Sequence, residues 1–221
     1  MNIHWPKTML SARELQERDR ESVRIEPLER EPVFVAGMDA AFGRNRVFGA
    51  VCVFRYHEMV LVDQTSAEAS ARFPYVPGYL LFREGPAIIS ALRKLRTRPD
   101  LLLVDGQGIA HPLGIGSASH LGIMLDMPTI GCAKTRFVGE YQEPGKQRGD
   151  WSPLRYEGRT VGAVLRTRTG VRPMFVSPGH RVTLADAIRI VLQSALTYRI
   201  PEPLRCADIL SRRMKKSEGW D

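Results

Sequence analysis

The run Leu101-Leu102-Leu103-Val104, followed by Asp105-Gly106-Gln107-Gly108, constrains the fold more than any other stretch of the chain. Four consecutive branched aliphatic residues leave no polar face, so the segment belongs inside a sheet covered on both sides, as parallel strands are in α/β proteins. The apolar pattern stops at a carboxylate. The glycines beside it permit backbone geometry and close approach that side chains forbid, and ligands of open α/β sheets collect at the carboxyl ends of strands. Asp105 has two readings here: a cap of the turn after its strand, or part of a site.

The rest of the chain supplies neighbours for that strand. Residues 33–42 form a buried-type strand with Asp39 embedded in it, and 47–54 and 59–63 are two more apolar runs joined by short polar turns, an antiparallel meander. A carboxylate inside an apolar strand is unfavourable to bury unless it is paired or binds a metal. Residues 73–79 interleave Pro74, Pro77 and Gly78 with Phe73, Tyr75 and Tyr79. Proline restricts its own φ and its predecessor, so this loop is stiff and either presents Tyr75 for stacking on a base or packs its rings inward. A helix over 80–95 follows from Ala87, Ile88, Ala91, Leu92 and Leu95, with Glu84 near its start and Pro86 expected in its first turn. Residues 128–133 read as the next parallel strand, ending at Lys134.

Other segments carry weaker signals. Residues 9–24 read as a surface helix with Ser11 as cap and Glu14 three positions on. The stretch 117–127 is a buried helix, and 139–159 is a polar surface excursion rich in Gly and Pro. Strands are expected at 160–165 and 173–176, then a turn at 177–180 in which His180 caps the following helix or, alternatively, touches substrate. The end of the chain, with Asp208 and the run Arg212-Arg213-Met214-Lys215-Lys216, reads as a peripheral basic tail on a single domain spanning 1–221.

With 32 Lys plus Arg against 24 Asp plus Glu, the formal charge of +8 favours a polyanionic partner, nucleic acid being the commonest. Gly106 and Gly108 lack the third glycine of a dinucleotide fingerprint and the Lys-Ser/Thr of a phosphate loop, so no nucleotide cofactor is expected. Cys52, Cys132 and Cys206 are far apart without metal-type spacing and are expected to be reduced. No apolar run approaches the roughly 20 residues of a membrane span, and Met1-Asn2-Ile3-His4 does not resemble a signal peptide, so a cytoplasmic, membrane-free protein is expected.

A three-strand meander with Asp39 on its first strand, a helix with Glu84, then a strand ending in Asp105 is the layout of the ribonuclease H-like fold, a mixed α/β sheet flanked by helices. Clustered carboxylates repel one another and are stable around a hard divalent cation such as Mg2+, which orients a phosphodiester and activates water. Lys134 is placed to stabilise the pentavalent transition state.

Several blocks are similar to those of one nuclease family. Residues 35–39 and Pro74-Tyr75-Val76-Pro77-Gly78-Tyr79-Leu80-Leu81-Phe82-Arg83-Glu84 belong to them, as do Val104-Asp105-Gly106-Gln107-Gly108-Ile109-Ala110-His111-Pro112 and residues 118–122. So do Pro128-Thr129-Ile130-Gly131-Cys132-Ala133-Lys134, Gly179-His180-Arg181 and Pro201-Glu202-Pro203 with Asp208. Nearly the whole chain resembles endonuclease V in family order. The resemblance implies a Mg2+-dependent enzyme, with Mn2+ as substitute, that recognises inosine in DNA or RNA and cuts the second phosphodiester bond on its 3′ side. It implies Asp39 and Asp105 as metal ligands, Glu84 as supporting acid, and Lys134 and His111 near the scissile phosphate. Tyr75 is implied as a wedge, Gly78, Leu80, Gly106, Gly108 and Gly116 as lining a base pocket, and His180 and Asp208 as further site residues. A monomer is expected. Departures are Gln107, where His is common, and Leu113-Gly114-Ile115-Gly116, where a basic stretch often stands. Two rivals are kept: another ribonuclease H-like nuclease acting on RNA or branched DNA, and a non-catalytic nucleic-acid-binding module.

Overall fold

The computed structural model describes residues 4–217 and Gly219; Met1, Asn2 and Ile3 of the polar start lie outside them. The meander forms as expected from β1 (Phe34–Phe42), β2 (Arg46–Arg55) and β3 (Val60–Ser70). β3 is longer than its apolar run because it stays paired along the whole of β2, from Arg55↔Val60 to Arg46↔Ser70, as a largely polar edge strand. Next come α2 and β4, where α1 is Met9–Asp19, α2 is Leu80–Leu92 and β4 is Leu101–Val104. The chain continues through α3 (Ser117–Leu125), β5 (Thr129–Ala133), β6 (Trp151–Tyr156), β7 (Arg159–Leu165) and β8 (Met174–His180), and ends with α4 (Leu184–Ser194) and α5 (Glu202–Ser217).

One eight-stranded mixed sheet results, in the order β3-β2-β1-β4-β5-β8-β7-β6. β1, β4 and β5 are mutually parallel and central, and every residue of β4 and β5 is buried, which is why they read as unbroken apolar runs. Alternate residues face opposite layers. Ala36, Met38, Leu102 and Val104 pack with Leu81 and Ile88 of α2 and Leu121 of α3, whereas Val35, Leu101, Leu103 and Ile130 pack with Ile190 and Val191 of α4 and Leu204 of α5.

Five expectations are corrected. Thr8, not Ser11, caps α1, with Ser11 returning the bond as the third residue of a capping box. Pro86 lies well inside α2 rather than in its first turn, where its ring removes one backbone donor. The surface excursion contains β6, whose Ser152 and Leu154 point inward while Pro153 sits on an edge strand that can lack a donor. Residues 177–180 continue β8 rather than turning, so Thr183, not His180, caps α4. The expected peripheral tail is α5, which buries Pro203, Leu204, Ala207 and Ser211 against the sheet.

Contact between α5 and β1 depends on Gly37, since a Cβ there would overlap the backbone of Pro203 and Leu204. Gly37→Ala is expected to destabilise the fold by about 1–3 kcal/mol, the range for overpacking a close contact. Equal thermal unfolding midpoints for parent and variant would show that α5 is not seated this closely.

Candidate active site

Parallel pairing places Met38 opposite Val104, so the next residue on each chain is a carboxylate, Asp39 beside Asp105. The Asp105 N–H still points at the Met38 carbonyl, 3.4 Å away. Period-two alternation puts Asp39 on the face of Val35 and Gly37, and Asp105 on that of Leu101 and Leu103, the face covered by α5. There Asp208 of α5 stands close enough to Asp39 for the two carboxyl groups to act on each other. Glu84 approaches from α2, half-buried, and feels the charges of both Asp39 and Asp105.

Crowding like charges in a dry place favours protonation. Burial raises Asp39 far above the ordinary carboxylate range, with the neighbouring Asp105 and Asp208 carboxyls adding to it and Lys134 opposing. Burial, then Asp39 and Asp105, pushes Glu84 up to about 8. Lys134, the residue after β5, donates to Asp105 Oδ2 and is the local counter-charge. Burial lowers its affinity for the proton, but Asp105, Asp39 and Asp208 outweigh that and its pKa is raised.

Beside Asp105 and Lys134 opens a cavity of about 280 Å³, lined by Gly78, Leu80, Gly106, His111 and Gly116 among others. Four of the five residues expected to wall a base pocket are therefore here. Gly108 is the exception: it is buried behind the wall, its N–H donating to Ser177 Oγ at 2.8 Å, and a Cβ on it would overlap the Pro178 carbonyl. Its smallness serves packing of the loop on β8. Gly106 is different, because a Cβ there meets only Ser117, at 3.5 Å.

His111 lines the cavity with both ring nitrogens occupied. The Leu113 N–H donates to Nδ1 at 3.2 Å, which leaves the proton on Nε2 to be donated to the Gly78 carbonyl at 3.1 Å. Burial lowers its pKa to about 4, consistent with a neutral ring. Gln16 Nε2 of α1 donates to the same carbonyl at 2.8 Å, and Arg83 donates to the Phe73 carbonyl at 2.5 Å, so the proline-stiffened loop is fastened at both ends. Between those ties Tyr75 is 61% exposed, its ring edge-on to Phe42 at 5.6 Å.

His180 is not in this cluster. It pairs with Thr129, at the opposite end of β5 from Lys134, about 16 Å away along the strand, and its Nδ1 accepts from the Arg24 N–H at 3.2 Å. That register sets its ring apart from the acids. Sequence reasoning missed Arg136 and Phe137, which line the cavity from an irregular segment with no periodic signal. It also missed the basic face of α5 that adjoins Asp39, although the positions 208, 211, 212 and 215 have helical spacing.

Comparison with known proteins agrees with this arrangement. The endonuclease V family matches residues 17–209. The chain belongs to the endonuclease V family. An endonuclease V of Methanothrix thermoacetophila is 50% identical over 207 residues, covering 94% of this chain and 92% of the relative. The crystal structure of endonuclease V from Streptomyces avermitilis superposes with a TM-score of 0.93 at 41% identity, over 99% of this chain and 98% of that one. That of Ciona intestinalis endonuclease V, in complex with a 24mer DNA containing an inosine followed by a ribo-adenosine, has a TM-score of 0.83 at 26% identity, over 95% and 98% of the two chains. The chain is accordingly a DNA-repair endonuclease with a ribonuclease H-like fold, metal-dependent by family. No helix among the described residues is long and apolar enough to cross a membrane.

The donor set suits a hard cation: oxygen ligands only, on acids held near one another against their own repulsion. Among the described residues no three His, Cys, Asp or Glu side chains already converge as a metal-binding group. The Asp105 charge is instead met by Lys134, which also opposes the rise of Asp39, while Asp208 adds to that rise.

A raised carboxyl pKa means that the folded protein holds a proton the unfolded chain releases, so stability falls as pH rises between the two values. For Glu84 that window runs from 4.5 to about 8. In chelator, the unfolding midpoint of Glu84→Gln should gain on that of the parent from about pH 5 to about pH 8. A difference that does not vary with pH would contradict the strained-acid assignment.

Proposed function

We propose that this chain is a Mg2+-dependent endonuclease that recognises deoxyinosine in DNA and hydrolyses the second phosphodiester bond on the 3′ side of the lesion, with Mn2+ able to replace Mg2+. One observation carries the reading: the cavity and the acids share Asp105 and Lys134, so a base held in one lies beside a phosphodiester held at the other. The Ciona relative bound to inosine-containing DNA supports the choice of base.

A deaminated, weakly paired base leaves the stack at low energetic expense, and Tyr75, exposed on a fastened loop, is the group to fill the gap. Gly78, Leu80, Gly106 and Gly116 would wall the base pocket. Backbone N–H groups in such a wall hydrogen-bond the six-position oxygen that adenine lacks, and close walls exclude the amino group that distinguishes guanine from hypoxanthine. Inosine in RNA carries the same base, so an inosine-bearing RNA strand is the second substrate to assay. His111 acts as a positioning residue, holding the Tyr75 loop through Gly78.

Asp39 and Asp105 would hold the metal ion, with Glu84 in support and Asp208 beside Asp39. When bound, the ion orients the phosphodiester and lowers the pKa of the attacking water. Lys134 supplies fixed positive charge where negative charge builds on the phosphoryl oxygens. The water oxygen bonds to phosphorus and the P–O3′ bond breaks, leaving a 3′-hydroxyl upstream and a 5′-phosphate downstream.

In Mg2+, oligonucleotides with one inosine should be cut while matched unmodified strands are not, and chelation should abolish cutting. Asp39→Asn and Asp105→Asn should each lower the cleavage rate by at least about a hundredfold, with binding of inosine DNA retained in fluorescence anisotropy. Gly106→Val should lower inosine cleavage at least about tenfold with an unchanged melting temperature. Full activity in Gly106→Val would place the base elsewhere, and equal cutting of unmodified DNA would refute inosine recognition.

A further inference from the structure

On the far side of Asp39 from the base pocket lies a second depression, about 480 Å³, that no role described so far uses. β1 contributes Asp39 and Phe42, and α5 contributes Asp208, Arg212, Lys215 and Lys216. Lys134 borders both depressions, so they meet at the acids. Residues 208, 211, 212 and 215 share one helical face, and Arg212 Nε donates to Asp208 Oδ1 at 2.9 Å. Cations in the last turn of a helix complement its dipole, which accounts for lysines near the end of α5. It does not account for their facing a groove that continues from the acids.

We propose that this groove is the track for the substrate strand on the 3′ side of the cut, with Lys215 and Lys216 gripping its backbone phosphates. This rests on the inosine reading above. With the base beside Asp105 and the broken bond two linkages toward 3′ at the acids, the downstream nucleotides continue into the depression that adjoins the acids from the other side. Its lining sets four cations, Lys134, Arg212, Lys215 and Lys216, against two carboxylates, Asp39 and Asp208. A polyanionic backbone matches that balance, and its affinity comes from displaced counterions rather than from base identity. Phe42 also lines this groove, with Tyr75 edge-on to its ring at 5.6 Å and the Arg83 guanidinium over it at 5.4 Å, so the groove reaches the foot of the wedge loop.

The experiment varies strand length. Inosine oligonucleotides with one nucleotide or about ten nucleotides beyond the cut are compared for the parent and the Lys215→Ala/Lys216→Ala double variant, leaving Arg212 in place because it holds Asp208. The parent should prefer the long substrate by about tenfold in kcat/KM, and the variant should lose that preference while cutting the short one at the parental rate. The slope of log affinity against log salt for the long strand should fall by about two, one per lysine. Anisotropy of a 5′-phosphorylated downstream strand gives the same comparison without cleavage. Equal losses on both lengths, or no loss on either, would overturn the track. Loss of inosine preference in the parent would instead refute the base-pocket reading and leave the length comparison intact. Unchanged thermal unfolding of the double variant confirms that its fold is preserved.

Discussion

Everything in the site depends on one backbone pairing, the parallel register of β1 with β4. Neighbouring strands in a sheet lie roughly 4.8 Å apart, so placing Asp39 one residue past Met38 and Asp105 one residue past Val104 forces two carboxylates into proximity that neither would choose in solution. The surrounding layers make the pairing rigid. Four buried residues in β4 and five in β5 have no polar alternative, and slipping either strand by one residue would exchange its two faces. The repulsion is thus an imposed cost, borne by the apolar core, and a cation returns that energy on binding.

The same logic of imposed position applies to the loop bearing Tyr75. Its conformation is set by Pro74 and Pro77, while its place on the protein is set at one end by Arg83 on the Phe73 carbonyl and at the other by the Gly78 carbonyl, which accepts from Gln16 of α1 and His111 of the loop after β4. A neutral histidine suits this task, since its two nitrogens act as one donor and one acceptor at once. Recognition and chemistry therefore share a scaffold: the segment following β4 supplies Asp105, walls the cavity and anchors the exposed aromatic.

Much of this was readable beforehand. The central strands announced themselves as uninterrupted apolar runs, and Asp39, Asp105 and Lys134 each marked the point where such a run meets a charge. The choice over Asp105, turn cap or site, is not made by its own stretch: the order of elements and the likeness to endonuclease V favour the site, and the pairing with β1, which local pattern does not encode, puts Asp39 beside it. Misreadings fall where tertiary contact overrides local signal. β6 lies among Gly and Pro because an edge strand tolerates them, and residues 177–180 look like a turn yet extend β8 because β5 runs alongside. Gly108 read as pocket wall because a glycine signals close approach without saying to what, and here the neighbour is Pro178. The basic run at the end of α5 masked an amphipathic helix whose apolar residues, Leu204 and Ala207, are few and precede the charges.

The seating of Pro203 against Gly37 has a consequence for the order of events in the cell. Residues 39 and 208 lie far apart in the sequence, and synthesis passes from the one to the other at roughly 5–20 residues per second. The strands that set Asp39 beside Asp105 all precede α5 in the sequence, so their residues are made before Asp208 and before the helix that covers that face. The face of the acids is therefore closed by the latest-made of the elements that build it, so a chain that has made only residues up to β4 holds both Asp39 and Asp105 without their cover.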